Sequence, residues 1–320
     1  MSKSDGQLPL ISVIVPMYNE AASAAAMVAA LQAVTAGLKQ YRFELLFVDD
    51  GSHDGSADVV RKLAAKDAQI QLVELVRNFG KEVATSAGLH AAQGEAAIMI
   101  DADLQHPPEL IPEFLQRWQA GDDVVIGRQR PDASYASFTK RLTARWFYKF
   151  INRISAIPVT PHATDYRLLD RAVITEFNHF TEHNRMTRGL IDWLGFQRSY
   201  IDFTPTQRLH GQRSYSYRQL IKLATDGIVS LSFFPLRIAG YLGVFIVLLS
   251  LPLLAFIGFD KFFNHNAFNI TGSASLAALL LLLIGIVLIC QGLMALYVAN
   301  IYNEVQNRPL YVRKRPPRAR

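Results

Sequence analysis

Two stretches, 236–259 and 273–302, hold a single charged residue between them, Arg237, and this constrains the chain more than any other feature. The first reads LRIAGYLGVFIVLLSLPLLAFIGF, and the second contains SLAALLLLLIGIVLICQGLMALYVANIY. Each exceeds the roughly 20 apolar residues that a helix needs to cross a bilayer core. A core helix of that length would carry a polar face, and neither stretch has one. Two membrane-spanning helices are therefore expected, with Pro252 a tolerated kink in the first. The connector 260–272 carries one Asp and one Lys, whereas Arg208–Lys222 and the tail Arg313–Arg320 are basic. By the positive-inside rule the N-terminal body and the tail face the cytoplasm, which predicts a multi-pass protein of the inner (cytoplasmic) membrane.

The rest of the chain bounds the other classes. Of 320 residues, 33 are Lys or Arg and 27 Asp or Glu, a net charge of +6. That excess gathers at Arg128–Arg153 and at the two basic flanks, so lipid headgroups and phosphorylated substrates are the natural partners. No helix-turn-helix, zinc-finger or aromatic RNA-binding signature accompanies it, which argues against nucleic acid. Cys290 is the only cysteine, so a disulfide framework or cysteine metal site within one chain is excluded. Met1–Pro9 is short and polar and does not read as a signal peptide. The organisation expected is a body over 1–210, an amphipathic linker helix over 211–235, a two-helix membrane domain over 236–302 and a basic tail over 303–320.

Within the body, strands alternate with helices. Ile11–Val15, Phe43–Val48, Leu72–Val76, Ala97–Ile100 and Val124–Ile126 are short β-rich runs, and the Ala-rich Ala21–Leu38 reads as a helix. This spacing predicts a mostly parallel sheet covered by helices on both faces. Such sheets bind ligands beyond the carboxyl ends of their strands, and the polar residues fall there: Asn19-Glu20, Asp49-Asp50 and Asp101-Ala102-Asp103. Asp54 and Ser56 read as helix caps. The Asp101/Asp103 pair does not, because two carboxylates two residues apart after a buried strand are costly without a cation.

Asp101, Asp103 and Gln105 place oxygen-bearing side chains at alternating positions of a short loop, a donor set suited to Mg²⁺ or Mn²⁺ held together with substrate phosphates. His106, ahead of Pro107-Pro108, reads as a packing residue rather than a ligand. Lys140, Arg141, Arg145, Lys149 and Arg153 recur at helical intervals beside Trp146, Phe147 and Phe150, the pattern of a helix lying at a membrane interface.

The blocks Val13–Glu20 (VIVPMYNE), Val48–Ser52 (VDDGS), Arg77–Lys81 (RNFGK) and Asp101–Glu109 (DADLQHPPE) resemble the signature blocks of family 2 glycosyltransferases. Joined to Gly127-Arg128 and two C-terminal spans, the series is similar to the polyprenyl-phosphate glycosyltransferases, which include dolichol-phosphate mannose synthases and bactoprenol glucosyltransferases. The resemblance implies an α/β glycosyltransferase A-type (Rossmann-like) domain, interface helices, two C-terminal transmembrane helices and an inverting transfer. Matched position by position, Pro16, Tyr18 and Glu20 line the nucleotide pocket, and Val48 and Asp50 contact base and ribose. Asp101, Ala102 and Asp103 form the diphosphate–metal loop, with Asp103 and Gln105 as ligands beside Asp101. Arg128 and Arg208 match phosphate-binding arginines, and Asp165 a residue that orients or deprotonates the acceptor. Where family members often read Gly-x-Ser-Lys-Tyr, this chain has Gly211-Gln212-Arg213-Ser214-Tyr215, so Arg213 stands in for the usual lysine charge.

The resemblance further implies a nucleotide-sugar donor, a polyprenyl (undecaprenyl) phosphate acceptor, a lipid bilayer and a homotetramer. UDP-glucose is the donor expected first, with other UDP-sugars and GDP-mannose open. Two other readings stay in view, a processive polysaccharide synthase and a membrane-tethered nucleotide-sugar sensor without turnover. Asp103, Arg128 and Asp165 are the residues expected to carry catalysis.

Overall fold

The computed structural model describes residues 8–130, 162–183, 185–204 and 272–315, with isolated helical positions at 241, 245, 248, 252 and 259. The chain divides into two units, one of residues 1–150, 157–214 and 308–320 and the other of residues 151–156 and 215–307.

The first unit alternates strands and helices as the sequence predicts. Its elements are β1 (Leu10–Met17), α1 (Ala21–Thr35), β2 (Arg42–Asp49), α2 (Ser56–Ala64), β3 (Ile70–Glu74), α3 (Lys81–Ala91) and β4 (Ala96–Met99). A short 3₁₀ turn leads into α4 (Ile111–Gln119), followed by β5 (Val124–Gln129), β6 (Ala163–Asp170), α5 (Arg171–Asn178), α6 (Thr187–Trp193) and β7 (Arg198–Phe203). The seven strands form one sheet in the order β3-β2-β1-β4-β6-β5-β7. All pairings are parallel except the two made by β6, which runs against both β4 and β5. The expected mostly parallel sheet is thus present, with one reversed strand inserted into it.

That insertion matters for function. Because β6 runs backwards, its first residues, Ala163–Asp165, lie at the edge where β1, β2 and β4 end. Side chains alternate across the sheet into two cores. Ile11, Val13 and Val15 pack with Met27, Leu31 and Phe114 on one face, while Ile14, Leu46 and Val48 pack with Ala84, Ala87 and Phe177 on the other.

The tail also belongs to this unit. Arg313 bridges antiparallel to Leu75, Val76 N donates to Val312 O at 3.0 Å, and Lys314 N donates to Glu74 O at 2.8 Å. Tyr311 stacks on His90 with ring centroids 5.9 Å apart. The edge strand β3 is thereby covered rather than left as an open row of amides and carbonyls.

In the second unit the predicted stretch 273–302 lies inside α7 (Gly272–Val305), a helical run of 34 residues with no acid in its first turn and no base in its last. Leu276, Ile284, Ile289, Val298 and Ile301 are more than half exposed along it. Over the residues whose side chains are described, no helix is long and apolar enough to cross a membrane; several side chains of α7 lie outside that description. The predicted stretch 236–259, the linker 211–235 and the basic helix 140–153 lie outside the described residues apart from the isolated positions above.

Candidate active site

Three loops after parallel strands, and the start of the reversed strand, meet at one edge of the sheet. Asn19 leaves β1 in a left-handed conformation with φ 54°, a conformation asparagine tolerates, and its side chain accepts from His53 N at 3.0 Å. Ser52 Oγ accepts from Asn19 N at 2.9 Å, and Ser56 Oγ from Glu20 N at 2.8 Å. Asp54 Oδ2 accepts from Ala21 N at 3.0 Å, so Asp54 and Ser56 tie down the entrance of α1. Asp54 Oδ1 also accepts from Ser56 N at 3.0 Å, the first amide of α2, so Asp54 serves the capping role read from sequence although the N-cap position itself is Gly55.

Gly51 is what lets the second loop pack so closely. It sits at φ 71°, and a Cβ there would stand 2.5 Å from the carbonyl carbon of Arg77. The preceding Asp50 is buried, and its two oxygens accept from Phe79 N at 2.7 Å and Gly80 N at 2.8 Å. Burial pushes the Asp50 carboxyl up despite those amides. Arg77 lies over the Phe79 ring at 4.3 Å.

The third loop carries Asp101, Ala102 and Asp103. Leu104 is strained at φ 59°, and Asp103 Oδ1 accepts from Gln105 N at 3.1 Å, closing a tight turn. His106 is buried against Tyr166 at 5.3 Å and Phe203 at 5.6 Å between ring centroids, the packing role expected of it.

These residues frame an open cleft of about 270 Å³ lined by Pro16, Tyr18, Glu20, Asp50, Ala102 and Asp103, among others. A smaller recess adjoins it, sharing Pro16, Lys81 and Asp101, and includes Asp165 and Arg188. Lys81 Nζ lies 2.6 Å from Asp101 Oδ1 and 2.8 Å from Asp165 Oδ2. Arg188 Nε lies 3.4 Å from the other oxygen of Asp165. Burial alone would lower the Lys81 pKa, but Asp101 and Asp165 outweigh it and hold the group up at about 12. The reverse holds for Asp165, where burial would raise the carboxyl and the charges of Lys81 and Arg188 bring it below its usual range.

Most of the residues picked out from sequence are thus brought together: Pro16, Tyr18, Glu20, Asp50, Asp101, Ala102 and Asp103 around the cleft, and Asp165 beside it. Three are placed otherwise. Gln105, expected as a metal ligand, is not among the residues that line the cleft or the recess, and its backbone amide donates to Asp103. The Val48 side chain is fully buried in the core beneath α3, so any contact it makes with a ligand is through its backbone. Arg128 lies at the same edge, but its guanidinium is bound to Asp202 through Nε at 2.6 Å and a second nitrogen at 3.0 Å. That pairing with Asp202 holds the Arg128 pKa above its ordinary value. Arg208 and Arg213 lie outside the described residues.

Lys81 and Arg188 had no role in the sequence reading. One signal was present for Lys81: a lysine as first residue of a helix opposes the helix dipole, which marks a residue placed there for another purpose.

No group of three or more His, Cys, Asp or Glu side chains that could hold a metal ion occurs among the described residues. What the cleft does offer is two hard carboxylates, Asp101 and Asp103, on a constrained loop. That donor set fits a divalent cation that completes its shell with phosphate oxygens and water.

The glycosyl transferase family 2 model matches residues 12–177. A bactoprenol glucosyl transferase of Shigella flexneri prophage origin is 36% identical over 308 residues, covering 96% of this chain and 98% of its own. A Synechocystis glycosyltransferase of uncharacterised activity is 38% identical over 302 residues, covering 94% of each chain. Mannosyl-3-phosphoglycerate synthase from Rubrobacter xylanophilus superposes with a TM-score of 0.48 at 19% identity, over 68% of this chain and 71% of its own, too loosely to bear on substrate or mechanism.

Proposed function

This chain belongs to glycosyl transferase family 2, and from that premise we propose that it transfers a sugar from a nucleotide-sugar, UDP-glucose first among them, to polyprenyl phosphate at the cytoplasmic face of a membrane. The observation that carries the reading is the convergence of Asp50, Asp101 and Asp103 on one cleft, with Asp165 and two cations in the recess beside it. Three carboxylates facing a donor site, with positive charge set to one side, suit a reaction between two phosphate-bearing substrates. The relatives named for bactoprenol supply the lipid half of the proposal.

The chemistry asks little of the protein in proton transfer. A phosphate monoester has a second pKa near ~6 and is mostly dianionic at neutral pH, so the acceptor oxygen is already a nucleophile. It forms the new bond to the anomeric carbon as the bond from that carbon to the donor diphosphate breaks, and one displacement inverts the configuration. Asp101 and Asp103 would hold a divalent cation, which when bound would supply charge stabilisation for the departing diphosphate. Lys81 and Arg188 offset the repulsion between acceptor phosphate and donor. Asp165, held ionised, fixes those two cations in place. Tyr18, 42% exposed at the mouth of the cleft, offers a ring face to the base.

In this reading 236–259 and 273–302 cross the bilayer, supported by the exposed apolar side chains along α7, and the basic flanks keep the body on the cytoplasmic side. Release of free nucleotide from UDP-glucose, measured with and without added polyprenyl phosphate, tests the proposal. Release that requires the lipid supports it; a lengthening glycan would instead mark a processive synthase, and no release from any of a panel of nucleotide-sugars would mark a binding protein.

A further inference from the structure

Lys81 stands where a second positive charge would interfere with the first. Its ammonium reaches from the start of α3 to a carboxylate after β4 and to another at the beginning of β6. These strands are neighbours in the sheet, which brings Asp101, two residues past the end of β4, beside Asp165 at the start of β6. Asp101 lines both cleft and recess, and its Oδ1 carries the contact to Lys81, while buried His106 Nδ1 accepts from the Asp101 amide at 3.5 Å. A divalent cation taking Asp101 together with Asp103 must compete with that ammonium for the same carboxylate, whereas Asp165 lines the recess and Asp103 the cleft.

We propose that Lys81 is the resident counter-ion of Asp101, giving up this carboxylate to the incoming divalent cation while staying paired with Asp165, and that it is thereby a positioning residue linking donor-site occupancy to the acceptor recess. The inference rests on the divalent-cation reading above. Before the cation arrives, Lys81 balances the acidic edge and keeps Asp101 and Asp165 from repelling each other. Afterwards it is held by Asp165 alone, with its remaining hydrogen-bond capacity turned to the recess, where the acceptor phosphate would sit.

This makes an opposed pair of expectations. Loss of the lysine charge removes a competitor and leaves the site more negative, so cation affinity rises; at the same time Asp165 and the acceptor lose their cation, so turnover falls. A residue that merely supports the fold would lower both or neither. The measurement is Mn²⁺ binding to the full-length chain in detergent by electron paramagnetic resonance, without nucleotide, on wild type, Lys81→Met, Lys81→Gln and Lys81→Arg. Gln keeps hydrogen bonding without charge and serves if Met disturbs folding; Arg keeps the charge. Met and Gln should bind Mn²⁺ about tenfold more tightly, the scale of removing one like charge a few ångströms from the ion in a partly solvated site, and Arg should stay near wild type. The acceptor KM should rise in Met and Gln and recover in Arg. Unchanged or weaker Mn²⁺ binding in both neutral variants, with normal binding in wild type, overturns the exchange alone. Absence of Mn²⁺ binding in wild type overturns the cation reading, and the exchange with it.

Discussion

Asp50 and Gly80 are thirty positions apart, yet the Asp50 carboxylate accepts the Gly80 amide at 2.8 Å and the neighbouring Phe79 amide at 2.7 Å. The residue matched to nucleotide contacts therefore also holds in place the loop from which Lys81 starts. Asp50→Ala should leave two amides without their acceptor and cost about 1–3 kcal/mol, alongside a raised donor KM. Asp50→Asn should do no better, because its amide nitrogen faces a donor. Gly80→Ala separates the backbone from the hydrogen bonds: Gly80 sits at φ 100°, ψ 152°, and an added Cβ meets nothing within 4 Å. Its cost should then be conformational strain alone, about 1–3 kcal/mol. Urea denaturation of the solubilised chain checks both; an unchanged midpoint in Asp50→Ala would show that the loop is held by other contacts.

Asp103 tests the cation without touching Lys81. It lines the donor cleft, and within the turn its carboxylate accepts from the Gln105 amide. Asp103→Ala should abolish cation-dependent transfer while the chain still folds. Full activity at limiting Mg²⁺ or Mn²⁺ would remove Asp103 from the site.

Arg128 is matched to a phosphate-binding position, but in this structure it is bidentate to Asp202, with both side chains well exposed. The pair is poised to be traded for a phosphate, since an exposed ion pair contributes little to folding. Arg128→Ala should lower turnover by on the order of 100-fold, whereas Asp202→Ala, which frees the guanidinium, should leave turnover within a few-fold of wild type. Equal losses in the two variants would mean that the pair acts as a structural unit and that Arg128 does not serve the diphosphate.

What the sequence made legible follows from which residues speak locally. Ile11–Val15, Phe43–Val48 and Ala97–Ile100 are β-rich runs followed by polar residues, so their carboxyl ends, and with them Glu20, Asp50, Asp101 and Asp103, could be placed on one sheet edge from spacing alone. The reversed strand β6 could not be placed between β4 and β5 this way, since antiparallel insertion is decided by which edge remains unpaired after the parallel strands assemble. Lys81 could not be set beside Asp165 for the same reason: 84 residues separate them, and the contact exists only once β6 is in place. β7 was missed because RSYIDF alternates only weakly, its burial coming mainly from Ile201 and Phe203. The tail read as a basic cytoplasmic segment facing lipid headgroups; its strand-like pairing with β3 relies on backbone groups, which leave no mark in side-chain pattern.

That tail is a support for the site. Glu74 accepts the Lys314 amide and Leu75 bridges to Arg313, a few residues before the Phe79–Gly80 amides that reach Asp50. Lys314→Pro deletes the backbone donor and should cost about 1 kcal/mol, with faster amide hydrogen exchange from 74 to 80 and a higher donor KM. Lys314→Ala keeps the donor and loses only an exposed ion pair with Glu74, so its effect should be smaller. Equal effects of Pro and Ala would assign the tail's contribution to charge rather than to strand pairing.

The pH dependence of transfer distinguishes substrate from protein titration. Asp165 has a folded pKa below its unfolded one, so its stabilising contribution is present above about pH 4 and is lost only as pH falls through the lower folded value. Lys81 has its pKa pushed up to about 12, so its contribution is complete below its unfolded value near ~10.4 and is lost as pH rises from there toward 12. Between about pH 5 and 9 the Lys81–Asp165 pair is therefore ionised on both sides, and neither member can produce an activity limb in that range. The acceptor phosphate can, with its second pKa near ~6. Turnover at saturating donor should fall on the acid side with a midpoint near ~6, and Asp165→Asn should lower kcat without moving that midpoint. A midpoint displaced in Asp165→Asn would make this carboxylate a titrating base and would contradict its assignment as the anchor of two cations.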